Sequence, residues 1–214
     1  MQELTRKQKL FVQALMQLDT SRCRELLAGQ QTSEDCSTHP EEIVVPALEN
    51  IGQAWETGHI SLSQVYMSSR ICEKVMEKIL PQDSTPQESS TRLAIGVIED
   101  YHALGKRMVI SSLRSAGYKP IDLGHGLKAE ELVEKALQEK ADILLISCLM
   151  LASAIHVKDV VEGLNRAGSQ IPVVVGGAPF RLYPALWKET GAHAVGNNSA
   201  DAVKIVRDLV GRQL

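Results

Sequence analysis

The pattern of apolar and polar positions divides the chain into two parts. Over about the first 80 residues, apolar side chains recur at every third or fourth position, as in LTRKQKLFVQALMQL, which is typical of amphipathic helices. After that, short apolar runs such as LAIGVI and ILLIS alternate with amphipathic stretches. The pattern therefore predicts a helical part, followed by strands that alternate with helices.

Start and stop signals place four helices in the first part. Pro40 can open the third helix, Gly58 can end it, and Ser61 can cap the fourth. Pro46 allows a bend within the third helix. The predicted helices cover residues 4–18, 21–28, 40–57 and 61–80.

The second part predicts a parallel sheet covered by helices on both faces. The predicted strands cover residues 93–98, 119–123, 143–147, 173–175 and 192–195. The predicted helices cover residues 104–116, 129–139, 156–167, 179–190 and 200–210. Right-handed crossovers then favour a doubly wound, flavodoxin-like or Rossmann-like α/β fold, with a strand order such as 2-1-3-4-5.

A segment without large apolar side chains separates the two parts. Residues 81–91, PQDSTPQESST, are rich in proline and hydroxyl residues, as linkers are. We therefore predict a helical domain over residues 1–80, a linker over 81–91, and an α/β domain over 92–214.

Composition argues against several classes of protein. The net charge of -3 indicates no polyanion-binding surface, so no nucleic-acid partner is expected. The start MQELTRKQKL lacks the apolar core of a secretory signal, and no apolar run reaches bilayer length, so we expect a cytoplasmic protein without a membrane partner. The four cysteines form no CxxC pair, and Cys148 is interpreted as a small core residue in preference to a nucleophile.

The candidate chemistry lies in the loops that follow the first, third and fourth strands, because ligands of open parallel sheets bind beyond the carboxyl ends of the strands. After the first strand, Asp100 is placed to orient the imidazole of His102, and Gly105 allows a close approach of the backbone. A single imidazole suits a metal that arrives in its own macrocycle. The alternative is that Asp100 caps the next helix and that His102 is a solvated loop residue.

In combination, these loops resemble the cobalamin-binding proteins of the methionine synthase and corrinoid methyltransferase type. The resemblance rests on Asp-x-His-x-x-Gly, Ser-x-Leu and Gly-Gly, in that order and at suitable spacing. The matching residues are Asp100, His102, Gly105, Ser147, Leu149, Gly176 and Gly177.

The resemblance implies cobalamin as the cofactor, bound base-off/His-on. His102 would be the cobalt ligand in place of dimethylbenzimidazole, with Asp100 and Ser153 as a hydrogen-bonded chain behind it; these three form the predicted catalytic set. Ser147, Leu149 and the two glycines would line the slot for the nucleotide tail. Further cofactor contacts are predicted at Tyr101, Ala103, Gly105 and Leu151.

The helical part resembles the cap over the upper face of the corrin. The residues that carry this resemblance are Gly52, Trp55, Glu56, Gly58, Ser61 and Gln64. Trp55 and Gln64 are predicted to contact the cofactor, although periodicity alone favours Trp55 in the core.

Several positions depart from the pattern of the resembling family. Glu99 stands where glycine is usual, Tyr101 where a small apolar residue is common, and Ala103 where an acidic residue is frequent. His193 replaces a common aspartate and is not expected to be a ligand.

The function implied is that of a methyl carrier between partner methyltransferases, with tetrahydrofolate or a similar compound as acceptor. Implied partners are a substrate:corrinoid methyltransferase, a corrinoid:tetrahydrofolate-type methyltransferase and a reductive activase. The chain would then be the corrinoid-carrying subunit of a methyltransferase system and not a complete enzyme. A cobalamin-dependent sensor is the alternative, and a nucleotide or flavin binder is a third class, disfavoured by the lack of GxGxxG or P-loop sequences.

Overall fold

A computed structural model describes residues 4–28, 40–79 and 91–211 of the chain. Contacts divide the chain into two compact units, residues 1–81 and 82–214. Of the predicted linker over residues 81–91, only Thr91 belongs to the described residues. Among the described helices, none is long and apolar enough to cross a membrane.

The first unit consists of four helices, as the sequence predicts. They are α1 (Arg6–Met16), α2 (Thr20–Ala28), α3 (Glu41–Glu56) and α4 (Leu62–Ile79). The helices contact one another, and side chains such as Phe11, Leu27 and Met76 are fully buried. Pro46 lies inside α3 without ending the helix.

The second unit is a five-stranded parallel sheet with helices between the strands. Its strands are β1 (Leu93–Ile98), β2 (Ile121–Leu127), β3 (Ile143–Ser147), β4 (Val173–Gly176) and β5 (Ala194–Gly196). Its helices are α5 (Leu104–Ser115), α6 (Ala129–Gln138), α7 (Leu151–Ile155), α8 (Val157–Arg166), α9 (Ala178–Leu182), α10 (Leu186–Glu189) and α11 (Ser199–Gly211). The strand order is β2-β1-β3-β4-β5, which confirms the doubly wound prediction.

The sheet is covered on both faces, which explains its uninterrupted apolar strands. All six residues of β1 are buried. Ala94 and Ile98 belong to one apolar cluster, and Leu93 and Ile95 belong to another. Successive side chains of a strand point to opposite faces, so these two clusters are the two layers of the core.

Three details of the second unit differ from the sequence prediction. The helix predicted over residues 179–190 is divided into α9 and α10, because Pro184 disfavours helical backbone at Tyr183, whose φ is -125° and ψ is 83°. Helix α7 was predicted as a loop. Strand β2 begins at Ile121 and continues to Leu127, beyond the predicted end at Leu123.

Candidate functional site

The loop between β1 and α5 presents an imidazole that is held by a buried carboxylate. The Oδ1 atom of Asp100 accepts the backbone N–H of His102 at 3.0 Å and lies 2.8 Å from His102 Nδ1. Because a carboxylate can only accept, Nδ1 carries the proton of a neutral His102 ring. The Nε2 lone pair is therefore available, and the His102 side chain is 37% exposed. Such a nitrogen can bind a metal ion.

The alternative role of Asp100 as a helix cap is wrong. The N-cap of α5 is Ala103, and no side chain caps this helix end. The Asp100 carboxylate is turned instead toward the ring and backbone of His102.

The predicted hydrogen bond between Asp100 and Ser153 is not formed. The Ser153 hydroxyl donates to the backbone carbonyl of Glu99 at 3.4 Å, and the buried Asp100 Oδ2 atom has no partner among the described residues. The hydroxyl thus lies beside the residue that precedes Asp100. Buried polar atoms rarely stay unpaired, so Oδ2 marks a place for one more donor.

Glycines allow the loops after β1, β3 and β4 to approach one another closely. A Cβ atom on Gly105 would lie 3.3 Å from the Ser147 hydroxyl oxygen. Gly177 has a φ of +121°, and a Cβ there would lie 1.8 Å from the carbonyl oxygen of Cys148. A Cβ on Gly176 would lie 2.9 Å from the carbonyl oxygen of Gly196. The predicted slot residues are therefore brought together at one edge of the sheet.

Apolar side chains remain exposed around this edge. Leu149 is 40% exposed, Leu151 is 41% exposed and Tyr101 is 75% exposed, whereas Ala103 is buried. The Tyr101 ring lies against His125, with ring centroids 5.7 Å apart. A cluster of exposed apolar side chains beside a polar centre is typical of a ligand-binding surface.

The helical unit places its two predicted site residues differently. Trp55 is 45% exposed, so its assignment to the core is wrong and its indole is accessible. The Gln64 side chain accepts the backbone N–H of Ser61 at 2.9 Å, and Ser61 Oγ accepts the N–H of Gln64 at 3.3 Å. This reciprocal pair caps the start of α4, which gives Gln64 a structural role.

Two side chains that the sequence analysis did not connect also meet at this edge. The Nδ1 atom of His156 lies 2.6 Å from Glu99 Oε2. The departure of Glu99 from the usual glycine was the only signal for this contact, since the two residues are far apart in the chain. By contrast, His193 Nδ1 accepts the N–H of Val173 at 3.0 Å, which gives that histidine a structural role.

Cys148 is buried between the loops, as expected for a core residue. Burial raises the pKa of its thiol far above the ordinary value, and the negative charge of Asp100 raises it further. The thiol therefore stays protonated and is a poor nucleophile.

Comparison with known proteins identifies the family. A family described as B12 binding domain matches residues 93–207, and a second family with the same description matches residues 8–80. This chain belongs to the B12-binding proteins. The cofactor of the family is a corrinoid.

Relatives of this B12-binding protein include named corrinoid proteins. A corrinoid protein of Desulfitobacterium hafniense (strain Y51) is 32% identical over 79% of this chain and 81% of the relative. Trimethylamine corrinoid protein 1 of Methanosarcina acetivorans is 32% identical over 76% of this chain and 77% of the relative. The solved structure of the Methanosarcina barkeri monomethylamine corrinoid protein has a TM-score of 0.77 and 24% identity, covering 93% of this chain and 96% of that one. This structural likeness shows the same fold.

The described residues of the B12-binding protein fit a corrinoid at the edge beside His102. The Nε2 atom is accessible, the Asp100 Oδ2 atom is buried without a partner, and neighbouring loops have exposed apolar side chains. An imidazole nitrogen that can bind a metal, a carboxylate behind the imidazole and an apolar surface beside it suit a cobalt macrocycle.

Proposed function

We propose that this B12-binding protein carries a methyl group on a corrinoid whose cobalt would be held by the imidazole of His102. The observation that supports the proposal most directly is the 2.8 Å contact of Asp100 Oδ1 with His102 Nδ1, which leaves Nε2 as the ligating nitrogen. The names of its relatives, corrinoid proteins for monomethylamine and trimethylamine, agree with a carrier role. These names favour the role of a methyl carrier over that of a cobalamin-dependent sensor.

When bound, the corrinoid supplies a cobalt centre that can accept and release a methyl group. The chain contributes orientation and charge. Asp100 Oδ1 holds His102 through two hydrogen bonds, one from the ring Nδ1 and one from the backbone N–H. The negative charge of Asp100 makes Nε2 a stronger donor to a metal. We propose that Ser153, which lies next to this loop, donates to Asp100 Oδ2 in the loaded protein and completes the chain predicted from the sequence.

We propose that the slot for the nucleotide tail runs where the glycines bring the loops together. Ser147 supplies a hydroxyl at the end of β3, and the exposed Leu149 and Leu151 supply apolar contact area. Gly176 and Gly177 present backbone without a side chain beside them. Displacement of the tail into such a slot corresponds to base-off/His-on binding.

Two partner methyltransferases follow from a carrier role. One would load the methyl group from a donor such as a methylamine, and the other would pass it to tetrahydrofolate or a similar acceptor. One relative in structure is the methanol:cobalamin methyltransferase complex of Methanosarcina barkeri, with a TM-score of 0.54 and 23% identity over 98% of this chain and 81% of that one. A reductive activase is the third proposed partner. We propose that the chain is a carrier subunit and not a complete enzyme.

The absorption spectrum of the full chain reconstituted with hydroxocobalamin tests the proposal. Wild type should retain the corrinoid after removal of excess cofactor and show histidine in place of the nucleotide base. His102→Ala should lose the histidine-bound spectrum. The matched control is His125→Ala, since His125 lies at the same edge but contacts the Tyr101 ring and no carboxylate among the described residues.

Three results would decide against the proposal. A wild-type protein that retains no corrinoid would remove the basis for any carrier role. An unchanged spectrum in His102→Ala would exclude His102 as the ligand, and an equal loss in His125→Ala would show a general disturbance of the edge.

A further inference from the structure

Glu99 has a backbone conformation that is unusual for a residue with a side chain. Its φ is +46°, and within the described residues only Leu18 and Lys140 are also non-glycine residues with positive φ. Leu18 and Lys140 directly follow the C-caps of α1 and α6, where left-handed backbone is common. Glu99 instead joins β1 to Asp100, so its conformation has no helix end to explain it. Such an outlier calls for a functional explanation.

Three contacts hold Glu99 in this conformation. Its carboxylate Oε2 lies 2.6 Å from Nδ1 of His156, the residue between α7 and α8. Its N–H donates to the carbonyl of Leu127 at 2.9 Å, and its own carbonyl accepts from Ser153 at 3.4 Å. The contact of Glu99 with His156 is the only one of these three made by the Glu99 side chain, and we name it the Glu99–His156 clamp.

We propose that Glu99 and His156 are positioning residues whose clamp fixes the loop that carries His102. Asp100 follows Glu99 directly, so any rotation of the Glu99 backbone turns the carboxylate that holds His102. The carbonyl of Asp100 also accepts the N–H of Gly126 at 2.7 Å, which makes this loop one hydrogen-bonded unit. The functional part of the inference rests on the proposed role of His102 as ligand.

The clamp also ties two loops of the site together. His156 ends α7, the short helix that begins at Leu151 and contains Ser153. Because the clamp joins this helix to the loop after β1, it keeps the Ser153 hydroxyl beside the carbonyl of Glu99, the residue that precedes Asp100. Glycine at position 99 would allow the same φ without any such tie.

The solvent exposure of the Glu99–His156 clamp favours a positioning role over a role in global stability. The side chains of Glu99 and His156 are 34% and 45% exposed, and exposed ion pairs contribute little to global stability. Glu99→Gly removes the clamp and also relieves the positive φ, so global stability should not fall. Local order of the loop should fall nevertheless.

Hydrogen exchange of single amides in the cofactor-free full chain tests the inference. The reporters are the amides of His102 and Gly126, which donate to Asp100. In Glu99→Gly and His156→Ala, we expect their exchange to accelerate by about tenfold, as when a charge-assisted hydrogen bond that closes a loop is lost. Glu99→Gln should restore most of the protection, since its amide oxygen can accept from His156. The matched control is Lys140→Gly, which relieves a φ of +50° far from the loop and should leave both amides unchanged.

The second measurement is the histidine-bound fraction of the hydroxocobalamin spectrum in the same variants. It should fall in Glu99→Gly and recover in Glu99→Gln. Unchanged exchange in both Glu99→Gly and His156→Ala would overturn the clamp, and faster exchange with an unchanged spectrum would overturn its role in positioning His102. If wild type itself never shows histidine ligation, the proposed function fails, whereas the exchange data still decide whether the clamp holds the loop.

Discussion

Gly177→Ala is the substitution that most directly tests the packing of the loops at the site. Gly177 has φ +121° and ψ -178°, a region that is essentially confined to glycine. An added Cβ would lie 1.8 Å from the carbonyl oxygen of Cys148, a separation at which backbone must move. Cys148 also donates its N–H to the carbonyl of Gly176 at 3.0 Å, so the two loops cannot separate without breaking a hydrogen bond.

The structure allows the size of the effect to be worked out. The forced backbone conformation costs about 1–3 kcal/mol. The lost hydrogen bond between the loops adds about 1 kcal/mol. We therefore expect Gly177→Ala to lower the free energy of unfolding by about 2–4 kcal/mol. Because the same movement opens the edge beside Ser147, retention of hydroxocobalamin should fall as well.

Urea unfolding of the full chain, followed by far-UV circular dichroism, measures this loss. The control is Gly52→Ala in α3, where nothing lies within 4 Å of the added Cβ. Alanine there should stabilise the helix by about 0.5–1 kcal/mol. A loss below about 1 kcal/mol in Gly177→Ala, at the level expected for an average substitution, would refute the packing argument.

Two further predictions concern charge and protonation. Asp100→Asn keeps an acceptor for His102 but removes the negative charge, so the affinity of His102 for cobalt should fall by about 10–100-fold. Titration of the histidine-bound spectrum measures this affinity. The control is Asp142→Asn, which alters a carboxylate that accepts from the backbone of Arg92 and should leave the affinity unchanged. Burial and then Asp19 raise the pKa of Cys23 from 9.0 to about 11, so the folded protein keeps this proton where the unfolded chain releases it. The free energy of unfolding should therefore fall as pH rises above about 9, by up to about 1.4 kcal/mol per pH unit for this thiol. In urea titrations at several pH values, the free energy of unfolding of Cys23→Ala should fall less steeply with pH than that of wild type, and equal slopes would contradict the reasoning.

The sheet was predictable from sequence because its strands are buried on both faces. LAIGVI and ILLIS have no polar residue before their ends, and central parallel strands are the structures that need this. The extent of β2 is harder to predict from sequence, because Gly124 and Gly126 lie within this strand and have positive φ values. The register of β2 with β1 shifts twice in this region, which local sequence rules do not capture.

The pair of Asp100 and His102 was predictable because both residues lie within one short motif. The hydrogen bond of Ser153 to Glu99 was not, since it depends on α7, a helix of only five residues that was predicted as a loop. The contact between Glu99 and His156 joins residues from different loops, and only the folded sheet brings these together. Sequence motifs therefore locate the pair of Asp100 and His102, whereas the contacts around this pair depend on tertiary structure.

Positions 99 and 177 both have backbone angles that favour glycine, but they differ in whether a side chain fits. At Gly177, both the backbone angles and the space beside the Cα atom exclude any side chain. At position 99, a φ of +46° lies in the left-handed region that residues with a Cβ can adopt at a cost of roughly 1–2 kcal/mol. The Glu99 side chain extends to His156, so only the backbone favours glycine there. A side chain is therefore tolerable at position 99 at that modest cost, and the role we assign to its contact with His156 is to hold the loop that carries Asp100 and His102.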